Sequence, residues 1–262
     1  MHNLQVATLG PVAPSSPFSK PAKMLDATRA DHRPRVAAER RERMRKRLVE
    51  SAMVVFAKKG TGASVIQDVV AAADVSQGSF YNYFRTNEEL LVAVGEDLNN
   101  EIVQLIESVV GDIDDPTRRV ATAIRSYLHL VRSHRVVACF LSKAGLQLMG
   151  KTSTINKYLP PDIAEGAKRG QFDFSSLEVA LDVIRGIGLM AIHRMASGKT
   201  AKDYPEKITI AMLRSLGMSA TATARLTTLQ LPKLTAPTES LLARAQARMV
   251  VSAAAPGAGE KG

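Results

Sequence analysis

Residues 64–90 read SVIQDVVAAADVSQGSFYNYFRTNEEL, a pattern that predicts two short helices joined by a tight turn. Ser64 stands where a helix starts: its hydroxyl can take a free amide of the first turn while Gln67, three residues on, reaches back in a capping box. The first helix is then expected from Val65 to about Ala73. Ala73, Asp74 and Val75 make the turn, and Asp is one of the few residues besides Gly that accepts a left-handed backbone. Ser76 caps a second helix, expected over Gln77 to Phe84. Phe80 and Phe84 share one face at helical spacing and can pack inward against Val65, Val69 and Val70. Gln77, Ser79, Tyr81, Asn82 and Tyr83 are left facing outward. Eight residues at about 1.5 Å each span roughly 12 Å, the width of a B-DNA major groove. The outward set can exchange hydrogen bonds with bases and phosphates; two core helices with no nucleic-acid partner are the plainer alternative. Gly78 inside a helix costs roughly 0.8–1 kcal/mol relative to Ala, so its presence points to a close approach of the backbone.

The flanking sequence extends this pattern in a fixed order. A helix LVESAMVVFAKKG comes first, then a short GTGAS loop, the paired helices ending in SQGSFYNYF, and TNEELL opening a long helix. With these parts in this order, the chain from about Arg45 to Val94 resembles the DNA-binding region of tetracycline-repressor-like (TetR family) regulators. The resemblance implies an all-α protein: an N-terminal three-helix domain with a helix-turn-helix, followed by a helical ligand-binding and dimerisation domain. It implies double-stranded DNA, as a palindromic operator, for a partner. The residues carried onto that interface are Ser76, Gln77, Gly78, Ser79, Tyr81, Asn82, Tyr83 and Arg85. Ser64 matches a family position that often donates to phosphate, and the helix start behind it favours an anion. Two positions depart from the family: Asp74 stands where many members have Gly, and Asn87 where many have a phosphate-binding Lys. Asn87 can still hydrogen-bond a phosphate oxygen, but without charge it releases no counterion and gives a shallower salt slope.

The 262 residues carry a formal charge of +10, which suits a polyanionic partner. Arg29, Arg33, Arg35, Arg40, Arg41, Arg43, Arg45, Lys46 and Arg47 are set against Asp31, Glu39 and Glu42 just before the DNA-reading helices. The run reads either as an arm attracted to phosphates, with Arg45 a backbone contact, or as a solvated face and linker. Before it, residues 1 to about 37 contain Pro11, Pro14, Pro17, Pro21 and Pro34 among Ser and Ala, the composition of a disordered extension. The domains are therefore expected at 1–37 (extension), 38–86 (DNA-binding), 87–218 (ligand-binding and dimerisation) and 219–262 (a tail with a helix at 238–251).

A second capping box, Thr86 with Glu89, opens a helix from Asn87 to about Val110, whose Leu91, Val94, Leu98, Ile102, Leu105 and Val109 recur at three and four residues. Further helices are expected from Asp115–Pro116, over His134 to Met149, near Asp162 to Lys168 after a break at Pro160 and Pro161, and over Pro205 to Leu216. The segment LEVALDVIRGIGLMAIHRMAS is apolar nearly all round, which requires cover on two sides. A second subunit is one source of that cover, an intramolecular core the other. The family resemblance implies a homodimer, and the expected interface is Ile184, Gly188, Leu189, Ile192, Met195, Ile208 and Met212. Two reading helices related by a two-fold axis reach half-sites about 34 Å apart.

The resemblance also implies a ligand cavity in the helical domain, and the residues expected to line it are Tyr127, His129, Phe140, Leu141, Leu146, Met149, Met190 and His193. Ordinary core packing is the alternative for each apolar one. These residues form no charge cluster, so the effector is expected to be a small apolar or amphipathic molecule. Cys139, the single cysteine, lies in the apolar run VVACFL and reads as an inert buried thiol. The five histidines show no metal-ligand spacing, and no nucleophile elbow, GxGxxG or phosphate loop occurs, so neither cofactor, metal nor enzyme activity is expected. No apolar run reaches the roughly 18 residues of a membrane span, which points to a cytoplasmic protein with no membrane partner. The expected function is a ligand-released repressor. A DNA-binding protein controlled by a protein partner, or acting architecturally, is the alternative.

Overall fold

The computed structural model describes residues 24–62, 65–149, 155–198 and 200–254, and among them every regular element is a helix. In chain order they are α1 (Met24–Lys59), α2 (Val65–Ala73), α3 (Gln77–Tyr81), α4 (Asn87–Val110), α5 (Pro116–Ser133), α6 (Arg135–Leu148), α7 (Ile155–Lys168), α8 (Leu177–Ser197), α9 (Tyr204–Ser215), α10 (Ala220–Thr228) and α11 (Leu241–Ala254). Residues up to Arg43 belong to one compact unit and those from Met44 onward to another.

Of the extension expected through residue 37, residues 1–23 lie outside the described residues and 24–37 are helical, with Pro34 inside the helix. Its exposed surface includes the pairs Arg35–Glu39 (3.7 Å) and Arg43–Glu39 (4.0 Å), each one turn apart and worth a few tenths of a kcal/mol.

In the second unit the ends of most helices follow from local chemistry. Thr86 Oγ1 accepts from the Glu89 amide at 3.0 Å, while the Glu89 carboxylate takes the Arg85 amide at 2.7 Å. Asp115, Ser176 and Ser219 cap α5, α8 and α10 in the same way. The expected break at Pro160 and Pro161 does not occur: both lie inside a continuous α7. Packing holds that helix together. Ile163 is fully buried, and Asp162 is gripped by Arg119 Nε at 2.9 Å. Arg119 also binds Glu107 (2.8 Å) and the carbonyl of Val110 (2.9 Å), so one guanidinium joins α4, α5 and α7. Burial works against its charge, but the Asp162 and Glu107 carboxylates outweigh it and its pKa lies above the ordinary arginine value.

The core is continuous, running from Leu48, Phe56, Val69 and Phe80 through Leu98, Leu128 and Phe140 to Leu213, Leu216 and Leu242. Where α9 ends, Gly217 has φ +85° and lies against Asp173, whose carbonyl oxygen is 2.4 Å from where a Cβ would stand. Asp173 in turn donates its amide to the Leu216 carbonyl at 2.8 Å, joining the loop before α8 to the end of α9. Gly217→Ala should therefore combine left-handed strain with a backbone clash and lower stability by roughly 2 kcal/mol or more, measured by urea denaturation.

Candidate nucleic-acid interface and ligand cavity

Helices α2 and α3 meet at a turn with the expected chemistry. Asp74 has φ +49°, the left-handed conformation, and Ser76 caps α3 by accepting the Ser79 amide at 3.1 Å. Ser64 lies outside the described residues, so its capping role and phosphate contact have no structural account here. Phe80 and Phe84 are buried with Val65 and Val69, their rings 6.1 Å apart. The reading helix is shorter than expected. It ends at Tyr81, and Asn82 and Tyr83 form a turn closed by the Tyr83 and Phe84 amides on the Phe80 carbonyl. The two buried phenylalanines hold that turn in place, so the outward residues keep a fixed position although the regular helix has stopped.

Of the expected DNA contacts, Ser76, Gln77, Gly78, Tyr81, Asn82 and Arg85 are exposed, while Ser79 and Tyr83 are half-buried. The Tyr81 ring, 46% exposed, leans edge-on against Phe80 at 5.4 Å. A cluster with hydroxyl, amide, phenol and guanidinium groups on one surface can read base edges and hold phosphates. A Cβ at Gly78 meets nothing within 4 Å, so no contact among the described residues requires glycine there.

Two residues expected to contact phosphate are engaged within the chain. Arg45 makes a bidentate ion pair with Asp97 of α4, at 2.8 and 3.2 Å, and so ties α1 to α4. Asn87 donates Nδ2 to the Thr61 carbonyl at 2.8 Å and pins the loop before α2. Both partners lie far away in sequence, which is why the spacing of charges could not reveal them.

Behind the head lies a cavity of about 320 Å³ bounded by α4 to α9. Tyr127, Leu141 and Met149 line it as expected. The other five expected residues do not. Phe140 is fully buried, its ring 6.2 Å from Phe56; His129 binds Glu206 at 2.7 Å; His193 Nδ1 faces Ser142 Oγ at 2.9 Å on the surface; Leu146 and Met190 are exposed. In their place stand Asn99, Ile102 and Ile106 of α4 and Tyr158 and Leu159 of α7. Of the residues expected at a dimer interface, Ile184, Gly188, Leu189, Ile192 and Met212 line this cavity, Met195 is buried, and Ile208 is half-buried against the core. The outer side of α8 instead presents Val179, Val183, Gly186 and Met190, one stripe at helical spacing.

The cavity wall is mostly apolar, and its carboxylates are engaged, Glu107 and Asp162 both by Arg119. Arg185 pairs with Asp182 at 3.4 Å. Burial pushes the Tyr127 hydroxyl far above its ordinary pKa, leaving a neutral phenol. Asn99 lines the cavity with a buried amide nitrogen that has no hydrogen-bond partner among the described residues. At the outer end of α5, burial raises the Glu206 pKa, but hydrogen bonding and charge from His129 and Arg125 outweigh it and hold the carboxyl below its ordinary value. Among the described residues no group of three or more His, Cys, Asp or Glu could hold a metal ion, and no helix is long and apolar enough to cross a membrane.

A helix-turn-helix head with an exposed polar reading surface, followed by a helical domain that encloses a cavity, defines a class of DNA-binding transcriptional regulator. Residues 48–94 match the family of bacterial regulatory proteins, tetR family, and residues 115–228 match a tetracyclin repressor-like C-terminal domain. The chain belongs to the TetR family of transcriptional regulators. It is 36% identical over 76 residues to the HTH-type transcriptional repressor DhaR of Mycobacterium sp. (strain GP1), covering 29% of this chain and 38% of DhaR. It is 31% identical over 90 residues to the HTH-type transcriptional repressor LfrR of Mycolicibacterium smegmatis, covering 33% of this chain and 47% of LfrR. These matches thus span less than half the length of either relative. Among solved structures, RolR without ligand is 26% identical over 73% of this chain and all of RolR, with a TM-score of 0.60. RolR in complex with resorcinol is 27% identical over 76% of this chain, with a TM-score of 0.53.

Because Arg45 is held by Asp97, Arg45→Met should lower stability by roughly 1 kcal/mol, the scale of a partly exposed ion pair. The slope of DNA affinity against salt should stay unchanged, whereas loss of a phosphate contact reduces it by about 1. Urea denaturation and DNA titration across salt concentrations measure the two quantities.

Proposed function

We propose that this TetR-family regulator is a homodimeric repressor, released from a palindromic operator by a compact, uncharged, amphipathic molecule bound in the cavity. The observation that carries the reading is the pairing of an exposed polar reading surface with an apolar cavity, joined by α4. Its first turns pack under the head through Leu90, Leu91 and Val94, and its middle lines the cavity with Leu98, Asn99 and Ile102.

The effector class follows from size and charge. A volume of about 320 Å³ is at the small end of ligand sites. The carboxylates at the wall are paired, so a charged ligand gains little there and loses its hydration. The unpartnered Asn99 amide and the neutral Tyr127 phenol favour a ligand that carries hydroxyl or carbonyl oxygens. RolR, crystallised with resorcinol, is a relative whose ligand has this character. Release is a population shift: the ligand must bind better to the arrangement that misplaces the reading helices, and a coupling of roughly 1–3 kcal/mol changes operator affinity about 5- to 150-fold.

The dimer is expected to form through the outer stripe of α8. Val179 and Met190 are more than half exposed, an apolar surface of the kind that a subunit interface covers. Gly186 allows a neighbouring backbone to approach, since a Cβ there meets nothing.

Footprinting on DNA selected from a random pool tests the reading as a whole. A two-fold symmetric footprint that vanishes on adding a cavity ligand is expected; an asymmetric footprint, or one indifferent to every bound ligand, counts against it. Tyr81→Ala should cost roughly 1–3 kcal/mol of discrimination between selected and random DNA while leaving the melting temperature unchanged. Val183→Arg with Met190→Arg should give a folded monomer in sedimentation and abolish the symmetric footprint.

A further inference from the structure

The C-terminal helix α11 lies beyond both matched family regions, which end at residues 94 and 228, yet its residues 241–249 are built into the structure. Its first turn sits on α4: Glu101 accepts the amides of Leu241 (2.6 Å) and Leu242 (3.1 Å), capping a helix start with a negative charge. Leu241, Leu242 and Ala245 are buried in the common core, and Gln246 accepts the Val136 amide of α6 at 3.0 Å. One face of the next two turns reaches the DNA-binding head. Arg244 Nε binds the Glu50 carboxylate of α1 at 2.9 Å, and Arg248 binds the other oxygen of the same carboxylate. Arg248 also donates to Ser51 Oγ (3.1 Å) and, more weakly, to the Ala72 carbonyl at the end of α2 (3.4 Å).

Glu50 decides what these contacts are worth. Its side chain is only 9% exposed, so without the two guanidiniums it would be a buried carboxylate facing core side chains, a costly state. Head and C-terminal helix are therefore held in one register by a charge that neither can abandon cheaply. The opposite end of α11 rests on Glu101, whose neighbours Asn99, Ile102 and Val103 line the cavity. Ala72 lies four residues before the Ser76 cap of the reading helix.

From this geometry we infer that α11 is a positioning strap: Arg244 and Arg248, clamped on Glu50, set the placement of the head on the ligand domain and so the separation of the two reading helices in a dimer. The strap adds a second route from cavity to head, in parallel with α4. This inference rests on the regulator reading above.

The full chain with Arg244→Met and Arg248→Met tests it, beside the charge-keeping Arg244→Lys/Arg248→Lys variant and, should the methionine variant fold poorly, the milder Arg248→Gln. Backbone hydrogen exchange without DNA should show faster exchange in residues 45–59 and 241–250 of the methionine variant. Each protein is then titrated with the operator selected by the wild type and with the same operator lengthened by one base pair between half-sites. The wild type should discriminate between the two by about tenfold or more, in the range of allosteric couplings; the methionine variant, or Arg248→Gln in its place, should lose most of that discrimination, and the lysine variant should recover it. Parallel weakening on both operators, with the ratio kept, would mean that the helix only stabilises the fold and would overturn the inference. So would unchanged exchange in α1. A wild type that selects no DNA would sink the regulator reading instead, while the exchange measurement still decides whether the strap holds the head.

Discussion

One helix must satisfy three neighbours at once, and the rest of the molecule is arranged around that constraint. On α4, Leu90, Leu91 and Val94 pack under the DNA-binding head, Asp97 holds Arg45 of α1, Leu98 and Ile102 face the cavity, and Glu101 holds the start of α11. Successive positions on an α-helix turn through about 100°, so Asp97 and Glu101, about one turn apart on the same face, hold α1 and α11, while Leu98, turned away from Asp97, faces the cavity. In the proposed release, α4 is the element that carries a displacement at Ile102 toward Asp97 and the head. The head cannot move on α4 without disturbing Arg45, Asn87 and the capping box at Thr86.

The head is built from two kinds of restraint. Burial of Phe80 and Phe84 against Val65 and Val69 fixes the distance between α2 and the reading segment, while hydrogen bonds fix its orientation: the Ser76 cap, the left-handed turn at Asp74, and the Asn87 amide on the Thr61 carbonyl. Such anchoring explains how a regular helix of five residues can serve.

What was legible in the sequence is what local chemistry determines. Caps at Ser76, Thr86 and Asp115, the turn at Asp74, the inward Phe80 and Phe84, and the long α4 all depend on residues within a few positions of one another. Family motifs gave the class, because they record the same local pattern. The misses share the opposite property. Arg45 looked like a member of a basic run, but its partner is 52 residues away; Asn87 looked like an uncharged substitute for a phosphate-binding lysine, but its partner is 26 residues back. Pro160 and Pro161 signalled a break that the packing of Ile163 and the grip of Arg119 on Asp162 override. Arg244 and Arg248 fall within the helix expected at 238–251, and nothing nearby in sequence announces that Glu50, nearly two hundred residues earlier, is their partner.

The α8 helix shows where such reading reaches its limit. A helix apolar on every side must be covered on every side, and that much is dictated by the cost of exposing hydrocarbon to water. Periodicity supplies the number of faces but not the identity of their neighbours. Here one side, with Ile184, Gly188 and Ile192, borders the cavity, and Gly188 leaves room for Met212, whose methyl lies 3.3 Å from where a Cβ would be. The other side, with Val179, Val183 and Met190, faces outward. Two glycines a half-turn apart thus have opposite meanings: at Gly188 a side chain of the same chain already fills the space, and at Gly186 the space is open. An apolar stripe interrupted by a glycine with nothing above it is a surface prepared for close approach. If a second α8 occupies that surface, the helix that bounds the cavity is also the helix that sets the two subunits against each other, and a ligand acting on one side shifts the geometry read on the other.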